Sequence, residues 1–443
     1  MHRRRLLALS GSLLAGALAG CSAPTPLSGI EATGPNVDPD VEEATLSRLV
    51  SDTNAFSIDL YDRMVAEDAA GNTIASPLSV TTTLAMAIAG ARGDTRAQMQ
   101  ETLRYSLEGN DLHEAFNALQ RDLADRGEEI DPESLPQDYD ESDDAVPFEL
   151  SLVNAVWGQT GFPFEDEYLQ VLSDHYEGGL RETDFKADAE RARRGINGWV
   201  ADETQDRIDE LLPEGSLDSL TRLVLTNVVY FKANWQFPFE ADATEQQPFT
   251  ALDGSTSEVP MMGLSETLPY AEVNGAKAVE LPYLGGTVSM VLILPPEGSF
   301  EEYETEFDAE TFSTIVDELE QTEGSVDLPR FEFSGSSKLK PMLEAMGMES
   351  AFEPREADFS GMVDLEATDE NLYLSEVFHD AYIGVDETGT EAAAATGAVV
   401  GLTSAPLEPF EFVADRPFML AIRDRPTDAI LFLGRVVDAG AAQ

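Results

Sequence analysis

Four histidines, His2, His113, His175 and His379, are the candidates in this 443-residue chain for the base of a Ser-His arrangement, in which an imidazole takes the proton of an attacking hydroxyl. His2 lies in the leader, and His113 and His175 stand in charged, helix-like contexts. No GxSxG elbow accompanies any of them. His379, between Phe378 and Asp380 in an otherwise apolar stretch, reads as a hydrogen-bonded core histidine rather than a general base. Metal chemistry has no better footing, since HExxH, CxxC and EF-hand spacings are missing. GxGxxG and Walker patterns are missing too. Acidic pairs such as Asp143-Asp144 carry little meaning among 84 acidic residues. These residue types predict no enzyme, no cofactor and no metal.

With 27 Lys and Arg against 84 Asp and Glu, the formal net charge is -57. Such a surface repels nucleic acid and anionic lipid, which excludes both as partners. Spread over the whole chain, the acidity reads as adaptation to molar salt, where charges are screened within about 3 Å. The apolar content of 42 % suffices for a large core.

Arg3, Arg4 and Arg5 precede an apolar run from Leu6 to Leu18 that is too short to span a bilayer and reads as a signal peptide, with the RRRLL pattern of a twin-arginine signal. Leu18-Ala19-Gly20-Cys21 resembles a lipobox, so Cys21, the single cysteine, is expected to be lipidated at the cell surface after export. No disulfide can form within the chain. The expected organisation is a leader over 1–21, a Pro- and Gly-rich linker over 22–42, a body over 43–438 and a short tail over 439–443.

The elements of the body are mixed. Apolar spacing predicts helices over 43–60, where Thr53 and Asn54 could interrupt, and over 78–103, 187–203, 307–319 and 337–346. Strands are predicted over 148–157, 221–231, 279–281, 287–294, 326–333 and 429–437. Residues 126–146 read as an acidic surface loop. The absence of regular strand-helix alternation points to α+β.

One stretch fits neither element. Gly389 to Pro406 reads GTEAAAATGAVVGLTSAP: a helix-favouring alanine run that dissolves into glycines and β-branched residues. Val385 to Thr396, VDETGTEAAAAT, closely resembles the hinge of the reactive-centre loop of serpins, the large serine-protease inhibitors. NTIASPLSVTTTLAMAIAGARGDTRAQMQETL from Asn72, NAVWGQTGFPF from Asn154, INGWV from Ile196, LTNVVYFKANW from Leu225, LPRF from Leu328 and ADRPF from Ala414 resemble the family in the same order. The likeness runs from about Glu43 to Asp438.

The resemblance implies the serpin fold, with three sheets, surrounding helices and an exposed loop able to insert into the largest sheet. It implies a suicide substrate: a protease attacks the loop, and the loop inserts while the protease is still acylated. The hinge would comprise Glu387, Gly389, Thr390, Glu391, Ala392, Ala393, Ala394, Ala395 and Thr396, small enough to slide beneath what covers the sheet. Gly389 is expected to free the hinge to reverse direction. Ser76, Pro77, Ser79, Asn227 and His379 match the family's shutter, and Trp235 its breach; helix caps and plain core are the simpler readings of Ser76, Ser79 and Trp235. Counting forward from Gly389 puts the reactive bond between Thr403 and Ser404, whereas counting back from Pro417-Phe418 puts it a few residues later. Small and apolar residues there suit a secreted subtilisin-like or elastase-like protease rather than a trypsin-like one. A monomer is expected. A non-inhibitory binding or chaperone serpin is the alternative.

Overall fold

The computed structural model describes residues 35–126, 149–176, 179–390 and 409–443. Its chain begins with α1 (Glu43–Glu67), β1 (Thr73–Ala75), α2 (Pro77–Ile88), α3 (Gly93–Thr102) and α4 (Asn110–Arg126). Then come β2 (Glu149–Gln159), α5 (Asp166–His175), β3 (Leu180–Thr183), α6 (Phe185–Glu203) and β4 (Leu223–Asn234). Strands β5 (Glu245–Thr250), β6 (Thr256–Val273), β7 (Ala276–Pro282) and β8 (Val288–Leu294) follow. Next are α7 (Phe300–Glu306), α8 (Ala309–Asp317), β9 (Glu320–Pro329), β10 (Phe331–Lys338) and α9 (Lys340–Ala345). The last are β11 (Val377–Val385), β12 (Gly389–Thr390), β13 (Phe410–Val413), β14 (Phe418–Asp424) and β15 (Ile430–Val436).

A six-stranded sheet runs β10-β11-β12-β4-β2-β3, with a direct parallel pairing of β11 to β4. The other strands form one connected ladder, because the 18-residue β6 pairs with β5 and β9 through its first part and with β7 through its last four residues. That strand therefore carries both a β5/β9/β13 group and a β7/β8/β14/β15/β1 group. With the six-stranded sheet these make the three strand groups of the expected fold.

The six-stranded sheet is covered on both faces. Leu225, Val229, Val377 and Ala381 share the main core with α2, while Val224, Val228 and Phe378 pack with Ala192, Ile196 and Val200 of α6. Successive residues of β4 and β11 thus alternate between two buried faces. All twelve residues of α2 are buried. Its threonines tolerate this because their hydroxyls turn back to the helix, Thr81 and Thr82 to the Leu78 carbonyl and Thr83 to that of Ser79.

Several expectations are refined. Helix α1 continues through Thr53, whose hydroxyl bonds the Val50 carbonyl, while Asn54 ties the helix to Asp428 and Ile430. The single helix expected over 78–103 is two, α2 and α3, with the turn running through Gly90 and Gly93, the latter at φ +53°. The helix expected over 337–346 is only α9, since β10 extends to Lys338. Both expected chain-end segments dock where described. Asn36 and Val37 bond the Ser173 and Asp174 carbonyls, and Ala442, buried, accepts from the Glu332 N–H at 2.7 Å.

Candidate functional site

The site is the seam between β11 and β4 and the short hinge that sits above it. From Val377 opposite Leu225 to Ala381 opposite Val229 the two strands are paired in parallel. On the core face of this seam lies a chain of buried polar side chains brought from four elements. The Ser76 N–H, at the start of α2, donates to His379 Nε2 at 3.1 Å. Nε2 therefore accepts, so the proton is on Nδ1, which donates to Asn227 Oδ1. The Asn227 amide then donates to Ser79 at 2.6 Å, Thr83 at 3.0 Å and the Asn154 carbonyl oxygen at 2.8 Å. Ser79 donates to that same oxygen at 2.7 Å, and Ser76 Oγ to the Leu431 carbonyl at 2.7 Å.

The geometry answers the question of catalysis at His379. Both ring nitrogens are committed, one to a backbone N–H and one to an amide, so neither faces a hydroxyl nucleophile. Burial pushes the imidazole down to about 4, which fixes the neutral ring at neutral pH. His113 and His175 pack elsewhere, between α4 and α5, where His113 meets the Tyr176 hydroxyl at 2.6 Å.

Expected shutter residues Ser76, Pro77, Ser79, Asn227 and His379 thus converge, with Pro77 as the first residue of α2. Neither serine caps that helix: Ser76 makes no capping bond, and Ser79 reaches across to β2. Asn154 and Thr83 complete the network. Asn154 lay inside a recognised motif, but no local signal marked it, since its role depends on facing Asn227 across the β2–β4 register.

Above the paired seam, β12 is already seated between the two strands. Thr390 lies opposite Val385 on β11 and Ala233 on β4, and Gly389 lies opposite Asn234. Trp235 holds this hinge from three directions. Its N–H donates to the Thr388 carbonyl at 2.9 Å, its indole Nε1 donates to the Asp386 carbonyl at 3.0 Å, and its ring stacks on Tyr283 at 4.5 Å and 10°. Tyr283 in turn shares a 2.8 Å hydrogen bond with the Thr390 hydroxyl. Trp235 is thus part of the buried core and at the same time bonds the backbone on either side of Glu387.

Glu387 is the second anchor. Its carboxylate accepts from Thr244 at 2.6 Å and pairs with Arg330 at 2.5 Å. Burial works to raise this carboxyl, but the Thr244 and Arg330 hydrogen bonds outweigh it and hold the group below its usual value. Tyr283, Thr244 and Arg330 were not foreseen. Arg330, inside the LPRF motif and one of only 27 cations, carried the one usable signal.

Gly389 needs a different explanation from the expected one. Its φ is not positive, so no reversal of direction requires it. A Cβ there would lie 2.1 Å from the Ala233 carbonyl oxygen and 2.7 Å from Asn234 Cα. Glycine is required because the hinge backbone lies against β4.

Among the described residues no ladder joins Tyr382–Gly384 to residues 230–232, between β12 and the paired seam. A cleft of about 630 Å³ borders this stretch, lined in part by Lys232, Tyr382, Gly384, Arg330 and Glu387. The rest of the expected hinge, Glu391 to Thr396, the reactive bond at Thr403 and Ser404, and the lipidation site Cys21 lie outside the described residues, as does most of the acidic loop.

A family model described as Serpin (serine protease inhibitor) matches residues 51–439. An uncharacterized serpin-like protein of Thermococcus kodakarensis is 38 % identical over 401 residues, covering 90 % of this chain and 87 % of that protein. The leukocyte elastase inhibitor of Bos taurus is 36 % identical over 400 residues, covering 88 % and 99 %. Among solved structures, the thermophilic serpin tengpin in its native state superposes with a TM-score of 0.77 at 29 % identity, covering 92 % of this chain and 97 % of that one.

Proposed function

The chain belongs to the serpin family, and from that membership we propose that it inhibits serine endopeptidases as a suicide substrate. One observation carries the reading: Gly389 and Thr390 are seated as a strand between β11 and β4 while those strands remain closed below. The hinge occupies the first two positions of the insertion path, and between it and the closed seam no ladder joins Tyr382–Gly384 to residues 230–232 among the described residues.

A target protease attacks the loop and forms an acyl ester through its serine. Cleavage frees the loop to continue down the seam, carrying the acylated enzyme with it. The energy comes from a native state held short of its most stable arrangement. Continuing the register of Thr390, each further residue takes one step along both strands. The sixth, Thr396, comes opposite His379 and Asn227 together, since those two are themselves partners. The His379–Asn227 bond must then open, and a threonine hydroxyl, donor and acceptor at once, can replace it.

The preferred target is a secreted subtilisin-like or elastase-like protease. Support comes from Leu402-Thr403-Ser404-Ala405, which holds no Lys or Arg, and from the similarity to a protein named as an elastase inhibitor. The leader supports twin-arginine export and lipid anchoring at Cys21 outside the cell, and the charge of -57 supports a molar-salt setting and a monomer. The test is to mix the protein, in high salt, with salt-tolerant subtilisin-, elastase- and chymotrypsin-like proteases, and to follow denaturing gels by intact mass. The expected result is an adduct that survives denaturation, with a released peptide beginning at or shortly after Ser404. Cleavage without adduct by every protease would leave a substrate only and shift the reading to a non-inhibitory binding serpin.

A further inference from the structure

His379 and its network partner most of the polar atoms on the core face of the seam, Asn154 Nδ2 excepted; on the opposite face a carboxylate oxygen is left without a partner. Asp380 follows His379 and so points with Phe378 toward α6, where Ala192, Ile196 and Val200 are apolar. It is 7 % exposed, in register with Ser336 on β10 and Val228 on β4. The Ser336 hydroxyl and the Ala381 N–H reach the carboxylate, but its Oδ1 has no hydrogen-bond partner.

Among the described residues no Lys or Arg pairs with this carboxylate. Arg207 lies over the Tyr382 ring, the next residue along this face of β11. Lys338, two residues beyond Ser336 on β10, is exposed. Arg193 of α6 is paired with Glu190 and Glu210. Burial accordingly raises the Asp380 carboxyl to about 6, with no cation to offset it.

We propose that Asp380 biases the β11–β4 seam toward opening, because its half-bonded carboxylate is penalised while the seam is closed and relieved when it parts. Parting the strands removes Val228 from its flank and admits water to the free oxygen. The ionised side chain therefore favours the open seam over the closed one. Protonation, or a neutral side chain of the same shape, removes that bias. The inference rests on the reading that this seam admits the loop, yet the opening itself takes place in the free protein and is measured without a protease.

The experiment is hydrogen exchange of the backbone amides of Leu225–Val229 and Val377–Ala381 in the full chain, comparing wild type with Asp380→Asn. Both are measured near pH 5 and near pH 8, on either side of the carboxyl's value of about 6. The ratio of the two proteins cancels what they share, His379 included. Near pH 8 the wild-type seam is expected to open up to about a hundredfold more often than the variant, and near pH 5 the ratio is expected to be about tenfold smaller, because the open seam keeps the carboxyl ionised down to its ordinary 3.8. Asp380→Ser, small and neutral, is expected to behave as Asp380→Asn. A ratio that does not change with pH, or faster opening in both neutral variants, would overturn the proposal. If the ratio behaves as expected and no protease adduct forms, the inhibitor reading fails while the role of Asp380 stands.

Discussion

At the scale of single residues, the seam is governed by where protons sit. His379 is held neutral at about 4, against an ordinary imidazole value near 6.5. The unfolded chain therefore takes up a proton between those values and the native chain does not. Its contribution to stability is full above pH 6.5 and is lost as pH falls toward 4, by about 3 kcal/mol at most. Asp380 acts in the opposite sense between its ordinary 3.8 and about 6, so the effect of His379 is the difference between two proteins rather than one slope. His379→Ala is expected to lower stability at pH 7 by about 1–3 kcal/mol, since it strands the Ser76 N–H and Asn227 Oδ1. The loss should shrink on acidification, read from the first unfolding transition in urea at several pH values. A loss of equal size at every pH would mean that the ring matters for packing alone. Gly389→Ala is a steric test: the added Cβ meets the Ala233 carbonyl, and overpacking of this kind costs about 1–3 kcal/mol. The hinge should leave the sheet, seen as faster exchange of the Thr388–Thr390 amides and a change in Trp235 fluorescence. An unchanged hinge would show that β4 yields.

At the scale of elements, function depends on two strands being able to separate. Ala381 and Val229 are directly opposed and both buried, within the Cα spacing a disulfide spans. Cysteines placed by Val229→Cys and Ala381→Cys should pair with each other, Cys21 being the one native thiol. Oxidised, this protein is expected to be cleaved by a target protease without retaining it; reduced, to form the adduct again. Trapping that persists with the bond closed would remove seam opening from the mechanism. The inserted register makes a second demand. Thr396→Arg places a long charged side chain where His379 and Asn227 meet, and should convert inhibitor to substrate while leaving cleavage intact. The readout is the fraction of protease captured per inhibitor cleaved.

At the scale of the whole molecule, charge dominates. A net -57 repels itself, and the repulsion reaches about 10 Å at 0.1 M salt but only about 3 Å at 1 M. The unfolding midpoint should therefore rise steeply between about 0.1 and 1 M NaCl and level off beyond. A midpoint indifferent to salt would show that acids and their few cations are already balanced locally. Buried pairs such as Arg423 with Glu280 and Arg435 with Glu304 should be insensitive to salt, because the solvent ions that screen the surface do not reach them.

What was legible in the sequence follows from what is local or recurrent. The ordered motifs could be read because each depends on residue type along a short stretch, and their order identified the family and the fold, while the roles expected of the alanine hinge and the shutter residues rest on that resemblance. The acidic surface was legible from composition alone. Strand β11 was not, because both its faces are buried and His379 and Asp380 interrupt any alternation. Tyr283, Thr244 and Asn154 were equally hidden, for each matters only through a partner distant in sequence. Tertiary structure alone decided that Gly389 is required by contact with β4 rather than by its own backbone angles. It alone separated two adjacent residues, His379 and Asp380, onto opposite faces, one satisfied and the other left with an unpaired oxygen. A sequence gives each side chain its chemistry, but which polar groups find partners is settled only when distant strands come into register.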